Sequence, residues 1–413
     1  RYLKMRNERY PMIRFADFTD SWKARKVGEF LSESRIQGTN GKRAKKLTVK
    51  LWRKGVVAKE EVFQGSEATQ YYIRKKGQFI YGKLDFLNQA FGIIPAELDG
   101  YESTLDSPAY DICNELNENF LLEYVSRKQF YLHNGTIADG SRKAKRIHTD
   151  TFFNMSIMIP TLVEQNQIAD LFRKMDRRIE LQEDLLINLK QMKQGFLQKM
   201  FPKEGESVPE IRFPGFTDEW EQRKLGEVYR NIRNAFVGTA TPYYVESEED
   251  GYFYLESNNI KEGQINRNAE VFINEAFYQG QRDKWLHTGD LVMVQSGHVG
   301  HTAVIPKELD CVAAHALIMF QNSIDNINPY FTNYQLQTLE SKKKLDYITT
   351  GNTIKHILAS EMKQFTVDFS ATIEEQTAIS NFFLTLDDAI TLHKQELDFL
   401  KQTKKAFLQK MFI

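Results

Sequence analysis

Two stretches of the chain carry the same spacing of apolar positions. In the first, apolar residues fall at Ile168, Phe172, Met175, Ile179, Leu186, Leu189, Phe196 and Met200. In the second they fall at Ile379, Phe383, Leu386, Ile390, Leu397, Leu400, Phe407 and Met411, each 211 residues further on. Steps of three, four and seven residues put these side chains on one stripe of an α-helix, the pattern of a coiled-coil seam. The stretches open on Thr161-Leu-Val-Glu164 and Thr372-Ile-Glu-Glu375. Both fit a capping box, in which the Thr hydroxyl accepts an orphan backbone N–H and the Glu carboxylate reaches back to the cap. Pro202 stops the first helix. Each run of about 40 residues predicts a helix of roughly 60 Å. Neither helix can bury its stripe alone, and the other copy is the obvious partner. An antiparallel pairing would relate the two halves of the chain by a pseudo-two-fold axis.

Outside these helices the period shortens. Residues 77–81 and 289–294 each read as a turn leading into a strand, and residues 155–159, 302–305 and 316–320 read as further short strands. Residues 329–345 read as one helix. The expected fold is therefore α+β: two mixed α/β domains joined by two long antiparallel coiled-coil helices. The expected division is 1–160, a first spacer helix over 161–205, 206–371, and a second spacer helix over 372–413. The variable blocks run roughly over 28–158 and 226–370.

The duplication extends beyond the apolar stripe. Residues 11–30 and 209–228 are identical at 12 of 20 positions, and both carry the pattern FTDxW ending in Trp22 and Trp220. Residues 164–201 and 375–412 are identical at 18 of 38 positions, and both end in FLQKMF. The first pair is offset by 198 residues and the second by 211, so the second insert is longer by 13 (211 − 198). The inserts themselves share no evident identity. A repeated frame around two different inserts suggests one mechanism applied to two targets. A generic coiled-coil adaptor would not account for the repeated Trp segments.

Composition narrows the class. The chain has 413 residues, 41% hydrophobic and 27% charged, as in an ordinary globular protein of two or three domains. Cys113 and Cys311 lie in different inserts, so no disulfide framework is expected. No apolar run approaches the roughly 20 residues of a membrane span, and no secretory leader is evident. A cytoplasmic bacterial location, with no membrane partner, is expected. Residue 1 is Arg, so the natural start is expected further upstream. Net charge is zero, which by itself gives no reason to propose nucleic acid.

Local charge tells more. Residues 34–59 contain no acidic group, and residues 42–54 (KRAKKLTVKLWRK) contain seven basic groups, namely Lys42, Arg43, Lys45, Lys46, Lys50, Arg53 and Lys54, with Trp52 among them. A second cluster is Arg142, Lys143, Lys145 and Arg146. Such clusters suit phosphate contact, because each cation releases a counterion from the duplex. The second block is the reverse. Residues 226–370 hold 12 basic and 18 acidic groups, a formal −6 (12 − 18). Its cations are scattered, among them Arg230, Arg233, Lys261, Arg267, Arg282, Lys284, Lys342, Lys343, Lys344 and Lys355. Its most suggestive segment is 295–301, with Gln295, Ser296, His298 and His301 separated by glycines. These side chains hydrogen-bond base edges, and glycine permits close approach; an ordinary hairpin turn is the alternative. From these features the expected DNA contacts are the cations of residues 42–54 and 142–146, Arg230, Arg233, Lys261, Arg282 and Lys355, and the four polar residues of the 295–301 loop.

The chain carries no recognisable catalytic signature. There is no Walker lysine, no dinucleotide fingerprint after a strand and no serine elbow. Asn328-Pro-Tyr330 resembles a fragment of an adenine-methyltransferase signature but reads as a helix start. Asp346 with Glu361 and Lys363 resembles a nuclease triad only by chance spacing. His298, His301, Cys311 and His315 have ligand types but no recognised zinc spacing, so neither metal nor catalytic residues are expected.

With its paired FTDxW segments, its paired EQxxI…FLQKMF helices and the GDLVMVQSG stretch starting at Gly289, the chain resembles, over essentially its full length, the specificity (S) subunit of Type I restriction–modification systems, staphylococcal-like members in particular. The resemblance implies two target recognition domains, each reading half of a split asymmetric DNA site, with the helices as a ruler between them. It implies two modification subunits that carry S-adenosylmethionine and methylate adenine at N6. It also implies up to two restriction subunits that use ATP and Mg²⁺. The chain itself would hold no cofactor and catalyse nothing. A stand-alone methyltransferase or nuclease, or a coiled-coil adaptor, are the alternatives.

Overall fold

The computed structural model describes residues 10–60, 65–136, 146–324, 326–351 and 355–413. The chain divides into two compact units. One comprises Arg1–Glu183 with Gln395–Ile413, and the other is the continuous segment Asp184–Lys394.

Both long helices form, over Leu162–Lys199 and Ile373–Lys410. Every seam position predicted from the apolar pattern is buried or half-buried. Within each unit the helix segments lie side by side and run in opposite directions. In the first unit Phe172 stacks on Phe412 at 5.7 Å, Asp176 meets Lys404, and Glu183 meets Lys401 at 2.6 Å. In the second unit Phe383 stacks on Phe201 at 6.1 Å, Lys193 meets Asp387 at 2.6 Å, and Phe196 packs edge-on against Phe382. Residues 211 apart exchange roles. Phe172 corresponds to Phe383, Asp176 to Asp387, and Lys193 to Lys404.

The inserts fold alike despite their lack of shared identity. In the first unit, strand Lys23–Lys26 pairs antiparallel with Ser156–Ile159. A four-stranded sheet follows in the order Leu31–Ser34, Ala109–Ile112, Phe79–Tyr81, Phe91–Ile93. In the second unit Glu221–Lys224 pairs with Thr366–Phe369, and the four-stranded sheet runs Tyr229–Asn234, Leu317–Ser323, Leu291–Val294, Thr302–Val304. The spatial order of corresponding strands is the same. Each head then adds its own elements. The first has the hairpin Leu47–Val49 with Val56–Ala58. The second has another four-stranded sheet containing the one parallel pair between named strands, Tyr252–Leu255 with Ala313–Ala314, among the described residues.

Two local expectations change. Residues 329–345 form two helices, Pro329–Leu336 and Leu339–Ile348. Thr338 separates them, because its hydroxyl caps the second helix by accepting from Ser341 N–H at 3.2 Å. The capping boxes form only by half. Thr161 and Thr372 accept the N–H of Glu164 and Glu375, both at 3.4 Å. The two carboxylates turn away from the caps to other partners.

Candidate nucleic-acid interface

Those partners are the repeated segments. Glu164 is fully buried and accepts from Arg14 Nε and Nη2 at 2.7 and 2.8 Å and from Trp22 Nε1 at 3.2 Å. Glu375 does the same with Arg212, at 2.5 and 2.8 Å, and with Trp220 Nε1 at 3.2 Å. The next residue completes each joint. Gln165 accepts from Asn117 N–H at 2.9 Å and Gln376 from Asn328 N–H at 3.0 Å. Asn117 and Asn328 in turn each cap a helix of their head, Glu118–Val125 and Pro329–Leu336. Asn328-Pro-Tyr330 is thus a helix start. The repeated spelling Arg…Trp…Glu-Gln is therefore a clamp that fastens a head to a helix, once in each unit. A bidentate Arg–carboxylate pair fixes direction as well as distance.

In the first head the basic run becomes a turn, a strand and a hairpin tip. Lys42, Arg43, Lys45, Lys50 and Lys54 stand at least partly in solvent. Trp52 stands at the tip, 56% exposed, with φ of 58°. A bulky residue rarely adopts this left-handed conformation. Here backbone bonds from Trp52 N to Asn88 O (2.8 Å) and from Arg53 N to Gln89 O (3.1 Å) hold it. Two expected contacts leave this set. Arg53 forms two 2.6 Å bonds to the buried Glu123, and Lys46 is only 5% exposed, its ammonium 5.4 Å from the Tyr71 ring centroid. The buried carboxylate of Glu123 draws Arg53 inward, and the Tyr71 ring faces the Lys46 ammonium. Lys42 pairs with Glu67 at 2.8 Å in full solvent, a contact of little energy. In the second cluster Arg146 pairs with Asp106 at 3.4 Å, whereas Arg142, Lys143 and Lys145 lie outside the described residues.

In the second head, residues 295–301 join two paired strands, Leu291–Val294 and Thr302–Val304. Positive φ at Gly297 (80°) and Gly300 (83°) lets this loop close, with Val294 N–H donating to His301 O at 2.8 Å. Ser296 bridges to His356, and Ile357 N–H donates to Gln295 O at 3.0 Å. The fold thereby brings Lys355 beside the loop that carries Gln295, Ser296, His298 and His301. Lys355 also pairs with Asp346 at 3.6 Å. Burial pushes His301 below the usual imidazole range, and His298 and Lys342 act in the same direction. At neutral pH its ring thus holds both a donor and an acceptor nitrogen.

His301 opens onto a cleft of about 710 Å³ inside the second unit, also lined by Lys190, Lys193, Lys261, Lys342 and Lys394. Sequence reasoning missed Lys190 and Lys394. They lie on the long helices, which the apolar pattern marked only as spacers. Of the other expected contacts, Arg230 is exposed, Arg233 is tied to Gln321 and Asp283, and Arg282 lies 5.7 Å from the Trp285 ring centroid. The four residues with ligand types are not gathered. His315 bonds Glu256 and Gly238 O, and Cys311 instead meets His287 and Asp310.

Known proteins resemble this chain in sequence and in fold. Residues 20–191 and 217–402 each match the family profile of the Type I restriction modification DNA specificity domain. The Type I restriction enzyme MjaVIII specificity subunit of Methanocaldococcus jannaschii is 24% identical over 306 residues, which cover 71% of this chain and 69% of that protein. The S subunit of a Type I restriction–modification system from M. genitalium has a similar fold, with a TM-score of 0.61 at 13% identity, covering 98% of this chain and 99% of the other. A chain solved in work on complex assembly and conformational transition of the type I R-M system gives 0.55 at 17% identity, covering 95% and 97%. No helix among the described residues is long and apolar enough to cross a membrane.

Proposed function

We propose, for a chain that belongs to the Type I restriction–modification DNA specificity family, that its two heads read the two halves of one split, asymmetric DNA site. The chain is a specificity subunit. It recognises DNA and is not the catalytic member of its system. The observation that carries the division of labour is the clamp. Arg14, Trp22 and Glu164 repeat as Arg212, Trp220 and Glu375 with the same bonds, while the surfaces that the clamps carry differ. The long helices then act as a ruler, and two modification subunits dock to bring S-adenosylmethionine to an adenine in each half-site. Up to two restriction subunits add ATP- and Mg²⁺-dependent translocation and cleavage. The setting is the bacterial cytoplasm. The proposed base readers are residues 295–301 in the second head and the hairpin tip around Trp52 in the first. A two-stranded ribbon has the width that the major groove admits.

Exchanging residues 28–158 for the corresponding block of another family member tests this reading. Methylome sequencing should then show a change in one half of the modified site only. A change in both halves, or in neither, would refute the modular assignment.

The solvent-facing cations of the first head give a second expected result. Replacing Lys42, Arg43, Lys45, Lys50 and Lys54 with Gln should weaken binding across all sequences. It should also flatten the salt dependence by about 0.9 in log–log slope for each phosphate that no longer meets a cation. An unchanged slope, measured on the assembled complex, would remove these residues from the phosphate contacts. Arg53 is left out because its removal would uncover Glu123.

A further inference from the structure

In the second unit, residues 286–288 and 310–312 approach each other at a single antiparallel bridge, Leu286 to Val312, closed by a bond from Leu286 N–H to Val312 O at 2.9 Å. Antiparallel geometry then sets His287 opposite Cys311. Asp310, next in line, is fixed by Thr288, whose N–H and hydroxyl donate to its Oδ1 at 2.8 and 3.1 Å. Three ligand types thus converge from two segments. His287 Nδ1 is 3.5 Å from Asp310 Oδ1, Cys311 Sγ is 3.8 Å from His287 Nδ1, and Cys311 Sγ is 3.4 Å from Asp310 Oδ2. One such atom from each residue lies within 4.8 Å of the other two.

These separations approach those of a coordination sphere, with His287 and Cys311 facing different oxygens of Asp310. Taken with one atom per residue they lie within 4.8 Å, so an ion would draw the side chains in by about 1 Å. With metal–ligand bonds of about 2.0–2.3 Å, neighbouring corners of a tetrahedron stand roughly 3.4–3.7 Å apart. Cys311 has φ of 66°, in the left-handed region that a non-glycine residue enters at a cost. Tyr278 holds it there by donating its hydroxyl to Cys311 O at 2.9 Å.

We propose that His287, Asp310 and Cys311 bind a divalent metal ion, zinc by ligand chemistry, with water in the fourth position. Sulfur and imidazole together favour zinc over magnesium or calcium, which take oxygen ligands. His287 and Asp310 are exposed, so an ion reaches the site from solvent. The bound ion would pin the turn at Lys307–Leu309 to the segment that enters strand Leu291–Val294, and so stiffen the edge of the head that carries Arg282 and Trp285.

The chain supplies its own control, because Cys113 is exposed in the first unit. Metal-free full-length protein is treated with a thiol-labelling reagent, with and without Zn²⁺, and each cysteine is followed by peptide mass spectrometry. Zn²⁺ should slow labelling of Cys311 by about tenfold or more, since a thiolate bound to metal is withdrawn as nucleophile, and should leave Cys113 unchanged. His287→Ala and Asp310→Asn should each remove that protection. Co²⁺ should give a thiolate-to-metal charge-transfer band that Cys311→Ser abolishes. Equal effects on both cysteines, no protection of Cys311, or protection that survives His287→Ala would overturn the assignment.

Discussion

Glu164→Ala should destabilise the first unit by about 3–5 kcal/mol, the scale for breaking a buried ion pair from one side. The carboxylate is fully buried and serves three donors, two from Arg14 and one from Trp22. Its removal leaves a guanidinium whose side chain is only 13% exposed. It also leaves an indole N–H on a tryptophan that is 2% exposed. A buried donor without an acceptor costs its full desolvation. Glu164→Gln should fall between, since it keeps an acceptor and removes the charge. Glu375→Ala should do to the second unit what Glu164→Ala does to the first. Hydrogen exchange locates the damage. The first variant should expose amides of Lys23–Lys26 and Ser156–Ile159, and the second those of Glu221–Lys224 and Thr366–Phe369. A destabilisation below about 1 kcal/mol, the range of a surface pair, would mean that the clamp does not hold the head.

Lys193→Met should cost a similar amount, and here two pairs with the same sequence origin should differ. Lys193 and Asp387 have side chains only 7% and 6% exposed. Tyr334 also donates to Asp387 Oδ2 at 2.9 Å. Substituting the lysine strands a buried carboxylate, at about 3–5 kcal/mol. Adding Asp387→Leu should recover part of that stability, because replacing a buried ion pair by apolar groups is often neutral, while the Tyr334 hydroxyl loses its acceptor. The corresponding pair in the first unit joins Lys404 to Asp176, whose side chain is 39% exposed. Solvent screens the Asp176 end, and Glu123, 3.7 Å from the same ammonium, keeps its two bonds from Arg53, so Lys404→Met should cost less than Lys193→Met, on the order of 1–2 kcal/mol. Denaturant titration of these variants decides the matter. Equal destabilisation from the two lysines, or a double variant no better than Lys193→Met, would contradict the role given to burial.

The seam and the duplication are legible because helical periodicity and identity both survive in a linear string. The meaning of the duplicated residues is not. Arg14 and Trp22 lie far from Glu164 along the chain, and nothing local marks the pairing, so Glu164 reads as a cap residue. A charge-assisted bond to a guanidinium outweighs its interaction with its own helix end. The corresponding strand orders of the two inserts are also hidden, since cores tolerate wholesale apolar substitution when volume and pattern are kept. A charge run carries no depth. Lys46 and Arg53 count with their neighbours in the string, although Glu123, 70 positions away, takes Arg53 inward. Spacing likewise groups Cys311 with His315, whereas a β-bridge gives it His287.

The make-up of the first unit bears on how the molecule is born. Met411 and Phe412 lie in the same core as Trp22, Phe120 and Phe172, and the Phe412 and Trp22 ring centroids are 6.2 Å apart. Domains usually acquire structure in the order in which the ribosome delivers them. Here the segment Asp184–Lys394 holds its entire core and emerges first as a complete set. The amino-terminal head must wait, its aromatic centre open, until the last turn of the second long helix leaves the exit tunnel. The earlier-synthesised head is therefore the later one to close, and the half of the molecule most exposed to chaperones and proteases during translation is the one that was made first.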